Sequence, residues 1–553
     1  MTKSIKTRTL FTFLIFFIII FGLIIRLIWI QAIDSSKLSI AVEKQTTANI
    51  VLKPERGYIY DVNGNILASN IPSGDVFAAP KYIKDPELVS EKLYKYLNID
   101  KEELLKILSN KHSEWTILAR SVSIDNLTSI KKLKLTGIYT EDTSSRIYPD
   151  GKMLSQVLGF VGTDGNGLYG LEYSLDKYLS GIPGLEKTVV DVEGRKIGLP
   201  DKYHKPINGD DVTLTIDSVI QGYTENALKK AYEKYKPEDG ITAIVMNPQT
   251  AEVLAMANIP NFDPNNPQNV TSQNLWSNPA ISGIYEPGSV FKVVTASAAL
   301  ESSVVTPEEQ FDDPGYYIVS GHRINSWTKL GKINFSEAIE KSSDTVFMEV
   351  GERLGLDNFY KYVKAFGFGS PTGIELPGEA SGMLMPESKI YPVDFASMSF
   401  GQGIAVTPIQ MITAFSAVIN GGNLMKPHIV KNIENGNKII KEYKPQVIRK
   451  VLSKKTSDTM KNILEKVVSE GTGQAAQVPG YKVGGKTGTT ENYAPGKYMA
   501  SFAGFAPVED PKIIVLIIIK NPTQNGHMGG EIAAPVAQEI LSNSLRYYDT
   551  VKK

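Results

Sequence analysis

The longest apolar stretch of the sequence lies close to its first residue. Residues 10–30 are almost entirely apolar, with Arg26 as the one charged position, and basic residues precede them at Lys3, Lys6 and Arg8. About 20 apolar residues span a bilayer as a helix, and a basic flank is typical of the cytoplasmic side. The pattern predicts a cytoplasmic tail at 1–9 and a transmembrane anchor at 10–30, with the bulk of the chain outside the cytoplasm. A cleaved signal peptide is the alternative, but the run is too long for one and no small-x-small site follows it.

Shorter apolar runs farther along the chain are typical of buried strands. The segment KIIVLIIIKNP at 512–522 is rich in isoleucine and ends at a proline, and similar strand signals occur at 241–247 and 251–257. Residues 211–235 pass from a strand pattern to a helical one. Strands separated by long helical stretches predict an enzyme domain of the α/β (α+β) class over residues 211–546.

The region between the anchor and this domain has a different pattern. Asn63-Gly64, between two short strand-like pieces, predicts a hairpin, and the stretch that begins at Pro86 has helical periodicity. Nothing in residues 41–205 suggests catalysis, so we expect a non-catalytic, extended module there. The polar, turn-rich segment 193–210 is the expected linker to the enzyme domain.

Composition and charge remove several classes of function. The chain has 59 basic and 59 acidic residues, so its balance gives no electrostatic case for binding nucleic acid. It has no cysteine, which excludes disulfides, thiolate metal sites and a cysteine nucleophile. Its five histidines are scattered without the spacing of a metal site. We therefore expect neither a metal nor another cofactor.

A serine and a lysine one helical turn apart open the search for chemistry. In YEPGSVFKVVTASAAL, residues 285–300, a Pro-Gly turn leads into an apolar helical pattern, with Ser289 and Lys292 at its start. Residues at i and i+3 of a helix are neighbours, so the amine is placed to activate the hydroxyl as a nucleophile. A helix-capping serine followed by a surface lysine is the commoner meaning of this short pattern when it stands alone.

Two further motifs make the serine–lysine pair specific. The segment EKSSDTVFM supplies Ser342 and Asp344, and VGGKTGTTEN supplies Lys486 with the residues that follow it, Thr487, Gly488 and Thr489. The order S-x-x-K, S-x-[N-like], K-T-G is the signature set of serine β-lactamases and penicillin-binding proteins.

Together with other segments, these motifs resemble the class B penicillin-binding proteins, the membrane-anchored D,D-transpeptidases of peptidoglycan synthesis. RGYIYDVNGNILA, SSRIYPDGKMLSQVLGFVG and GLYGLEYSLDKYLSG resemble the motifs of the family's pedestal, and GQGIAVTPIQM and HMGGEIAAPV resemble parts of its transpeptidase domain. The resemblance covers nearly the whole chain. It implies a pedestal domain of the penicillin-binding protein dimerisation type, followed by a serine β-lactamase/transpeptidase-like domain with an antiparallel sheet flanked by helices.

The resemblance also implies a role for each motif residue. Ser289 would attack the carbonyl between the last two D-alanines of a stem peptide, with Lys292 as the base and Ser342 as a proton relay to the leaving amine. The backbone N–H groups of Ser289 and Thr489 would form an oxyanion hole. The substrate carboxylate would be held by the third motif, which comprises Lys486, Thr487, Gly488 and Thr489. β-Lactams would acylate Ser289 by the same route, and a membrane glycosyltransferase is the expected partner.

Asp344 departs from the asparagine that the family more often has at this position. An ionised aspartate only accepts hydrogen bonds, so it is expected to pair with Lys292 and favour its charged form. The elongation branch of the family (the penicillin-binding protein 2 type) has a similar S-x-D motif, and this favours an elongation role over division or sporulation. A purely structural aspartate that accepts backbone hydrogen bonds is the alternative.

Related functions remain as alternatives to the transpeptidase. A β-lactamase needs a group that positions water, and no Glu-x-x-x-Asn lies between Ser289 and Lys486. A D,D-carboxypeptidase differs only in that water takes the acyl group. A scaffold with an inactive site remains open because of Asp344. Trp327 and Tyr498 are candidates for packing against a stem peptide, although buried aromatic residues usually pack for stability. His527 is a candidate for the rim of the cleft, but a loop histidine without function is favoured.

Overall fold

The structure is a computed structural model that describes residues 2–35, 37, 47–189, 202–491 and 496–551. Position 41, the expected start of the pedestal, and residues 193–201 of the expected linker lie outside the described residues. The chain divides into two compact units, one made of residues 1–54 and 181–208 and the other of residues 55–180 and 209–553.

Among the described residues, the named strands pair in antiparallel fashion, except that β2 and β8 are parallel. In chain order they are β1 (Thr47–Leu52), β2 (Ile59–Tyr60), β3 (Ile66–Ala78), β4 (Thr116–Ser123), β5 (Ile138–Ile147), β6 (Gly184–Val189), β7 (Lys202–His204), β8 (Asp211–Leu214), β9 (Ile241–Met246), β10 (Val253–Ile259), β11 (Gln310–Asp313), β12 (Tyr316–Val319), β13 (His322–Asn325), β14 (Gly331–Asn334), β15 (Asn423–Met425), β16 (Val430–Asn435), β17 (Lys438–Glu442), β18 (Val447–Lys450), β19 (Gly484–Glu491), β20 (Tyr498–Ala506) and β21 (Ile513–Lys520).

The helices range from single turns to one long apolar segment. In chain order they are α1 (Thr2–Ala32), α2 (Pro86–Leu97), α3 (Lys101–Leu108), α4 (Ile124–Leu133), α5 (Ser155–Leu158), α6 (Gly170–Ser174), α7 (Asp176–Leu179), α8 (Ser218–Tyr235), α9 (Pro279–Ser282), α10 (Lys292–Glu301), α11 (Phe335–Glu340), α12 (Asp344–Leu354), α13 (Leu356–Ala365), α14 (Pro392–Met398), α15 (Pro408–Ile419), α16 (Lys454–Ser469), α17 (Gly529–Ile532) and α18 (Ala534–Val551).

The smaller unit contains the long apolar helix and a small sheet. Within the described part of the chain, α1 alone is long and apolar enough to cross a membrane, with a mean hydropathy of 2.9 over its most apolar window. Its apolar side chains are exposed in the structure, as is expected of a helix whose packing partner is lipid. The predicted anchor at 10–30 lies entirely inside α1. The sheet of this unit has the order β1-β6-β7.

In the larger unit, one sheet joins early and late segments of the chain. The predicted hairpin at Asn63-Gly64 is confirmed, since β2 and β3 pair antiparallel and Gly64 turns at φ +86°. Strand β3 also pairs with β4 and β5, and α2, α3 and α4 bury Leu93, Leu104 and Leu127 against this part of the sheet. On the other side β2 pairs with β8, which pairs with β16. The sheet therefore fixes the first module to the start of the enzyme domain.

A five-stranded antiparallel sheet forms the centre of the enzyme domain. Its strand order is β10-β9-β21-β20-β19. The predicted strand at 512–522 is confirmed as β21, whose first seven residues are buried. Its alternate side chains enter two separate cores: Val515 and Ile517 pack in one with α8 and α18, whereas Leu516 and Ile518 pack in the other with α10 and α15. Helices thus cover both faces of the sheet, which confirms the predicted fold class.

Candidate active site

Ser289 lies in a tight turn that precedes a buried helix. Gly288–Val290 form one turn of 3-10 helix, and α10 begins only at Lys292, so the expectation that Ser289 itself starts the α-helix is wrong. The reason is Gly288, whose φ of +50° is not helical and whose missing side chain leaves room for Thr490 Oγ1. Residues i and i+3 of a 3-10 turn still lie on the same side. Ser289 is half-buried, whereas Lys292 is fully buried.

The middle motif lies between helices α11 and α12. Ser342 follows α11 in a left-handed conformation with φ +60°, which is rare for a residue with a side chain. Ser343 caps α12, because its Oγ accepts a hydrogen bond from Val346 N at 3.1 Å. Asp344 is the first residue of α12, and 19% of its side chain is exposed. The turn therefore directs the side chains of Ser342 and Asp344 towards Lys292, with Ser343 between them.

The third motif lies on β19, which is an edge strand of the five-stranded sheet. Because side chains alternate along a strand, Lys486 and Gly488 face one side, and Thr487 and Thr489 face the other. A Cβ on Gly488 would lie 2.9 Å from Val290 Cγ2 and 2.4 Å from Ser501 Oγ. Glycine is therefore required for β19 to pass this close to the serine turn.

Neighbouring segments hold the two threonines of β19. Thr487 Oγ1 shares a hydrogen bond of 2.8 Å with Thr472 Oγ1, and Thr489 Oγ1 accepts one of 2.9 Å from Gly529 N, at the start of α17. His527 precedes this helix, and its ring stacks on Tyr498 with 4.1 Å between the ring centroids. This aromatic pair was noted in the sequence only as two separate candidates.

Two buried lysines meet at one serine hydroxyl. Lys292 Nζ donates hydrogen bonds to Asp344 Oδ1 at 2.6 Å, to Ser342 O at 2.8 Å and to Ser342 Oγ at 3.2 Å. Lys486 Nζ donates to the same Ser342 Oγ at 3.0 Å and to Thr487 O at 3.1 Å. Both lysine side chains are 0% exposed. The predicted pairing of Asp344 with Lys292 is confirmed, and Ser342 Oγ lies between the two amines.

Burial lowers the pKa of both lysines. The pKa of Lys292 is lowered by desolvation, while Asp344 and the more distant Asp313 oppose this shift. The pKa of Lys486 falls well below its usual value because of its desolvation and the positive charge of Lys292. The like charges of the two lysines repel each other, so each disfavours the charged form of the other.

The predicted residues thus converge, although Ser289 stands apart from the hydrogen-bonded cluster. Among the described residues, no hydrogen bond engages Ser289 Oγ, which leaves it open to a ligand. Two residues of the surroundings were missed or only partly recognised in the sequence. Trp327, which is 59% exposed, donates a hydrogen bond of 3.1 Å from Nε1 to Ser342 O. Asp313 is fully buried behind the middle motif. In the sequence, only Phe311 indicated this burial, because it lies two residues earlier and therefore on the same face of the strand.

Comparison with known proteins gives this geometry a family. The family described as penicillin binding protein transpeptidase domain matches residues 241–542, and the penicillin-binding protein dimerisation domain matches residues 51–214. The stage V sporulation protein D of Bacillus subtilis is 40% identical over 98% of this chain and 86% of its own length. The peptidoglycan D,D-transpeptidase FtsI of Buchnera aphidicola is 31% identical over 96% of this chain and 93% of its own.

A solved structure extends the likeness to the three-dimensional level. Penicillin-binding protein 3 of Mycobacterium tuberculosis, in complex with aztreonam, superimposes with a TM-score of 0.70 at 29% sequence identity, over 91% of this chain and 98% of the other. The transpeptidase family implies stem peptides of peptidoglycan as substrates and the binding of β-lactams. The apolar helix α1 is in keeping with membrane anchoring. The chain belongs to the class B penicillin-binding proteins, and its function is that of a peptidoglycan D,D-transpeptidase.

Proposed function

We propose that this transpeptidase works through an acyl-enzyme on Ser289, with Lys292 as the base that activates it. The observation that carries the proposal is the meeting of two fully buried amines at Ser342 Oγ, beside the turn of an unengaged serine. A buried amine with a lowered pKa is the group that can exchange a proton near neutral pH. An exposed lysine, in contrast, would remain charged.

Lys292 must lose a proton before it can accept one from Ser289. An ammonium group has three donors, and the three hydrogen bonds of Lys292 Nζ use all of them. Ser342 Oγ offers the way out, because it can accept a proton from Lys292 while it passes its own to Lys486. Burial lowers the pKa of both amines, so each can exchange a proton with Ser342 Oγ near neutral pH. The carboxylate of a bound stem peptide stabilises charged Lys486 and thereby favours neutral Lys292.

The edge strand β19 supplies the groups that hold the substrate. Because an edge strand leaves alternate backbone groups without a strand partner, β19 can pair with an extended peptide. Thr487, Gly488 and Thr489 bind the terminal carboxylate together with Lys486. The backbone N–H groups of Ser289 and Thr489 stabilise the oxyanion, and one such donor is worth about 3 kcal/mol.

The two half-reactions then balance. Ser289 Oγ forms a bond with the penultimate D-alanine carbonyl as its proton passes to Lys292, and the proton reaches the leaving amine by way of Ser342. The C–N bond breaks and D-alanine departs. The amine of a second stem peptide attacks the ester, gives its proton back through the same groups and releases Ser289. A β-lactam forms the same ester, but its opened ring stays attached, and the site remains blocked.

Two alternative functions differ from the transpeptidase at different steps: a D,D-carboxypeptidase shares the acyl-enzyme, and a catalytically weak scaffold lacks it. In a D,D-carboxypeptidase water takes the place of the second amine. In a catalytically weak scaffold, the 2.6 Å pairing with Asp344 holds Lys292 in its charged form. The lowered pKa of Lys292 supports the enzyme, because desolvation outweighs Asp344.

The cellular context is a separate part of the proposal. The leaning towards elongation rests on Asp344 alone, whereas a relative named for stage V sporulation is 40% identical. We therefore favour a sporulation role as the second candidate. The N-terminus lies in the cytoplasm with the pedestal at 41–205 and the transpeptidase domain at 211–546 outside. A membrane glycosyltransferase supplies the glycan strands, since a transpeptidase only joins their stem peptides.

Labelling with a fluorescent penicillin tests the serine and the role of Asp344. The full chain in detergent is compared with Ser289→Ala and Asp344→Asn, and the loss of label is followed with time. Stable label on the parent and none on folded Ser289→Ala supports the acyl-enzyme, and rapid loss of label would indicate a β-lactamase. An unlabelled parent that Asp344→Asn rescues would establish the scaffold. Addition of an acceptor amine separates the transpeptidase from the carboxypeptidase, because only the former yields the amide product.

A further inference from the structure

A second buried carboxylate lies directly behind the middle motif. Asp313, the last residue of β11, is 0% exposed. Its Oδ2 accepts a hydrogen bond from Ser343 Oγ, and its Oδ1 accepts one of 2.8 Å from Gly315 N. A buried carboxylate is costly unless it is bonded and charge-compensated. A charged Asp313 at this buried position therefore needs a group of opposite charge nearby.

Ser343 connects Asp313 to the turn of the active site. Ser343 is fully buried, and its neighbours in the chain, Ser342 and Asp344, are the two residues that bind Lys292. Ser342 adopts a left-handed conformation that only firm surroundings maintain. The hydrogen bond from Ser343 to Asp313 ties this turn to the β11–β14 sheet.

Three other elements bring charged groups to the middle motif, behind which Asp313 lies. Lys292 comes from α10, Lys486 from β19 and Asp344 from α12. Asp313 acts on Lys292 through space and raises its pKa, in the same direction as Asp344. Lys332, on the paired strand β14, lies opposite Asp312 in the register.

We propose that Asp313 is a positioning residue of the transpeptidase reaction, which holds the Ser342–Asp344 turn through Ser343 and, as a second counter-charge, keeps Lys292 from losing its proton too early. The proposal rests on the function proposed for Lys292 above. Loss of the Asp313 charge leaves only Asp344 to favour the ammonium form. Lys292 then becomes neutral at a lower pH.

The decisive experiment is a pH profile of acylation. The second-order rate of acylation by a chromogenic β-lactam is measured against pH for the full chain in detergent, for Asp313→Asn and for Asp312→Asn. This rate reports the pKa of the free enzyme's base. We expect the midpoint of the rising limb to move down by about 0.5 pH unit in Asp313→Asn, which is less than in Asp344→Asn, because Asp313 makes no direct bond with Lys292. Asp312, exposed on the other face of the same strand, is the matched control and should leave the midpoint unchanged.

Ser343→Ala keeps the charge of Asp313 but removes its hydrogen bond, together with the cap that the same hydroxyl forms for α12. Acylation should slow about tenfold from the misplaced turn, with the midpoint near that of the parent. An unmoved or raised midpoint in folded Asp313→Asn overturns the charge effect, and an unchanged rate in Ser343→Ala overturns the positioning. Should Asp313→Asn fail to fold, Asp313→Ser removes the same charge with a smaller polar side chain and is expected to move the midpoint in the same direction.

Failure of the inference differs from failure of the proposed function. A parent that acylates without a rising limb, or a Ser289→Ala variant that still reacts, contradicts the roles of Lys292 and Ser289 themselves. A normal limb in the parent that is unaffected by Asp313→Asn contradicts only the role of Asp313.

Discussion

Two buried ionic clusters, one in the pedestal part of the larger unit and one in the active site, are built in opposite ways. In the pedestal cluster, Glu172 accepts from Arg56 Nε and Arg146 Nε, each at 2.6 Å, and Asp176 accepts from Arg56 Nη1 at 2.7 Å. The active-site cluster consists of Lys292, Ser342, Asp344 and Lys486. Its one carboxylate binds one lysine, and the second lysine has only neutral acceptors.

The difference appears in the direction of the pKa shifts. Burial disfavours the charge of Arg56, but Glu172 and Asp176 outweigh it, and the pKa of Arg56 is raised. Burial also disfavours the charge of Lys292, and there it outweighs Asp344, so the pKa is lowered. Burial of charge alone therefore does not mark an active site. A shift that brings a group towards neutrality at working pH marks a place where a proton can move.

The largest expected effect separates chemistry from stability. Lys292→Met should slow acylation by about three orders of magnitude, because the base is lost. The free energy of unfolding should change by less than about 1 kcal/mol, since a buried charge is costly to keep and Asp344 is partly exposed beside Lys486. Acylation kinetics and denaturant unfolding of the full chain measure the two. Acylation at the parental rate would remove Lys292 from the mechanism.

In the pedestal cluster, a substitution should lower the free energy of unfolding strongly and leave acylation unchanged. Glu172→Gln leaves two buried arginines without their shared carboxylate, and removal of one partner from a buried ion pair costs about 3 kcal/mol or more. Denaturant unfolding should show this loss, while the folded protein still acylates at the parental rate. A change under about 1 kcal/mol would place this cluster with ordinary surface pairs.

Asp344→Asn tests whether the carboxylate of Asp344 opposes the effect of burial on the pKa of Lys292. Lys292 is effective only when neutral, that is, above its pKa, and Asp344 raises that pKa. The substitution therefore lowers it, and the rising limb of the pH–acylation profile should move down by about one pH unit. Asp357→Asn, at the exposed start of α13, is the control. A shift to higher pH would reverse the assigned sign.

The smallest effect is expected at a surface ion pair. Lys230 and Glu539 bond at 2.6 Å with 68% and 33% of their side chains exposed. Lys230→Ala should lower the free energy of unfolding by about 0.5 kcal/mol or less, because water and salt screen such pairs. A loss as large as that of Glu172→Gln would mean that burial does not set the scale of these effects.

Much of this fold follows from local patterns in the chain. The isoleucine run of β21 and the Asn63-Gly64 turn were legible because strand burial and hairpin geometry depend on neighbouring residues. The three motifs were recognised because their chemistry fixes residue types. Whether Lys292 would bond Asp344, and what charge it would retain, depended on distances across the fold.

Two features of the site could not be deduced from the chain alone. The 3-10 turn at Ser289 depends on the close approach of β19, which a pattern of apolar residues does not record. The partner of Ser343 lies 30 residues upstream in the sequence. An aspartate in a short strand gives no local sign that it lies behind a catalytic turn.

The central claim is that Ser289 carries the acyl group, and mass spectrometry of the penicillin adduct tests it most directly. The full chain is reacted with penicillin at saturation, digested and searched for the modified peptide. The account predicts one adduct, on the peptide that contains Ser289, and none on Ser342 or Ser343. An adduct on another residue, with Ser289 unmodified, would contradict it.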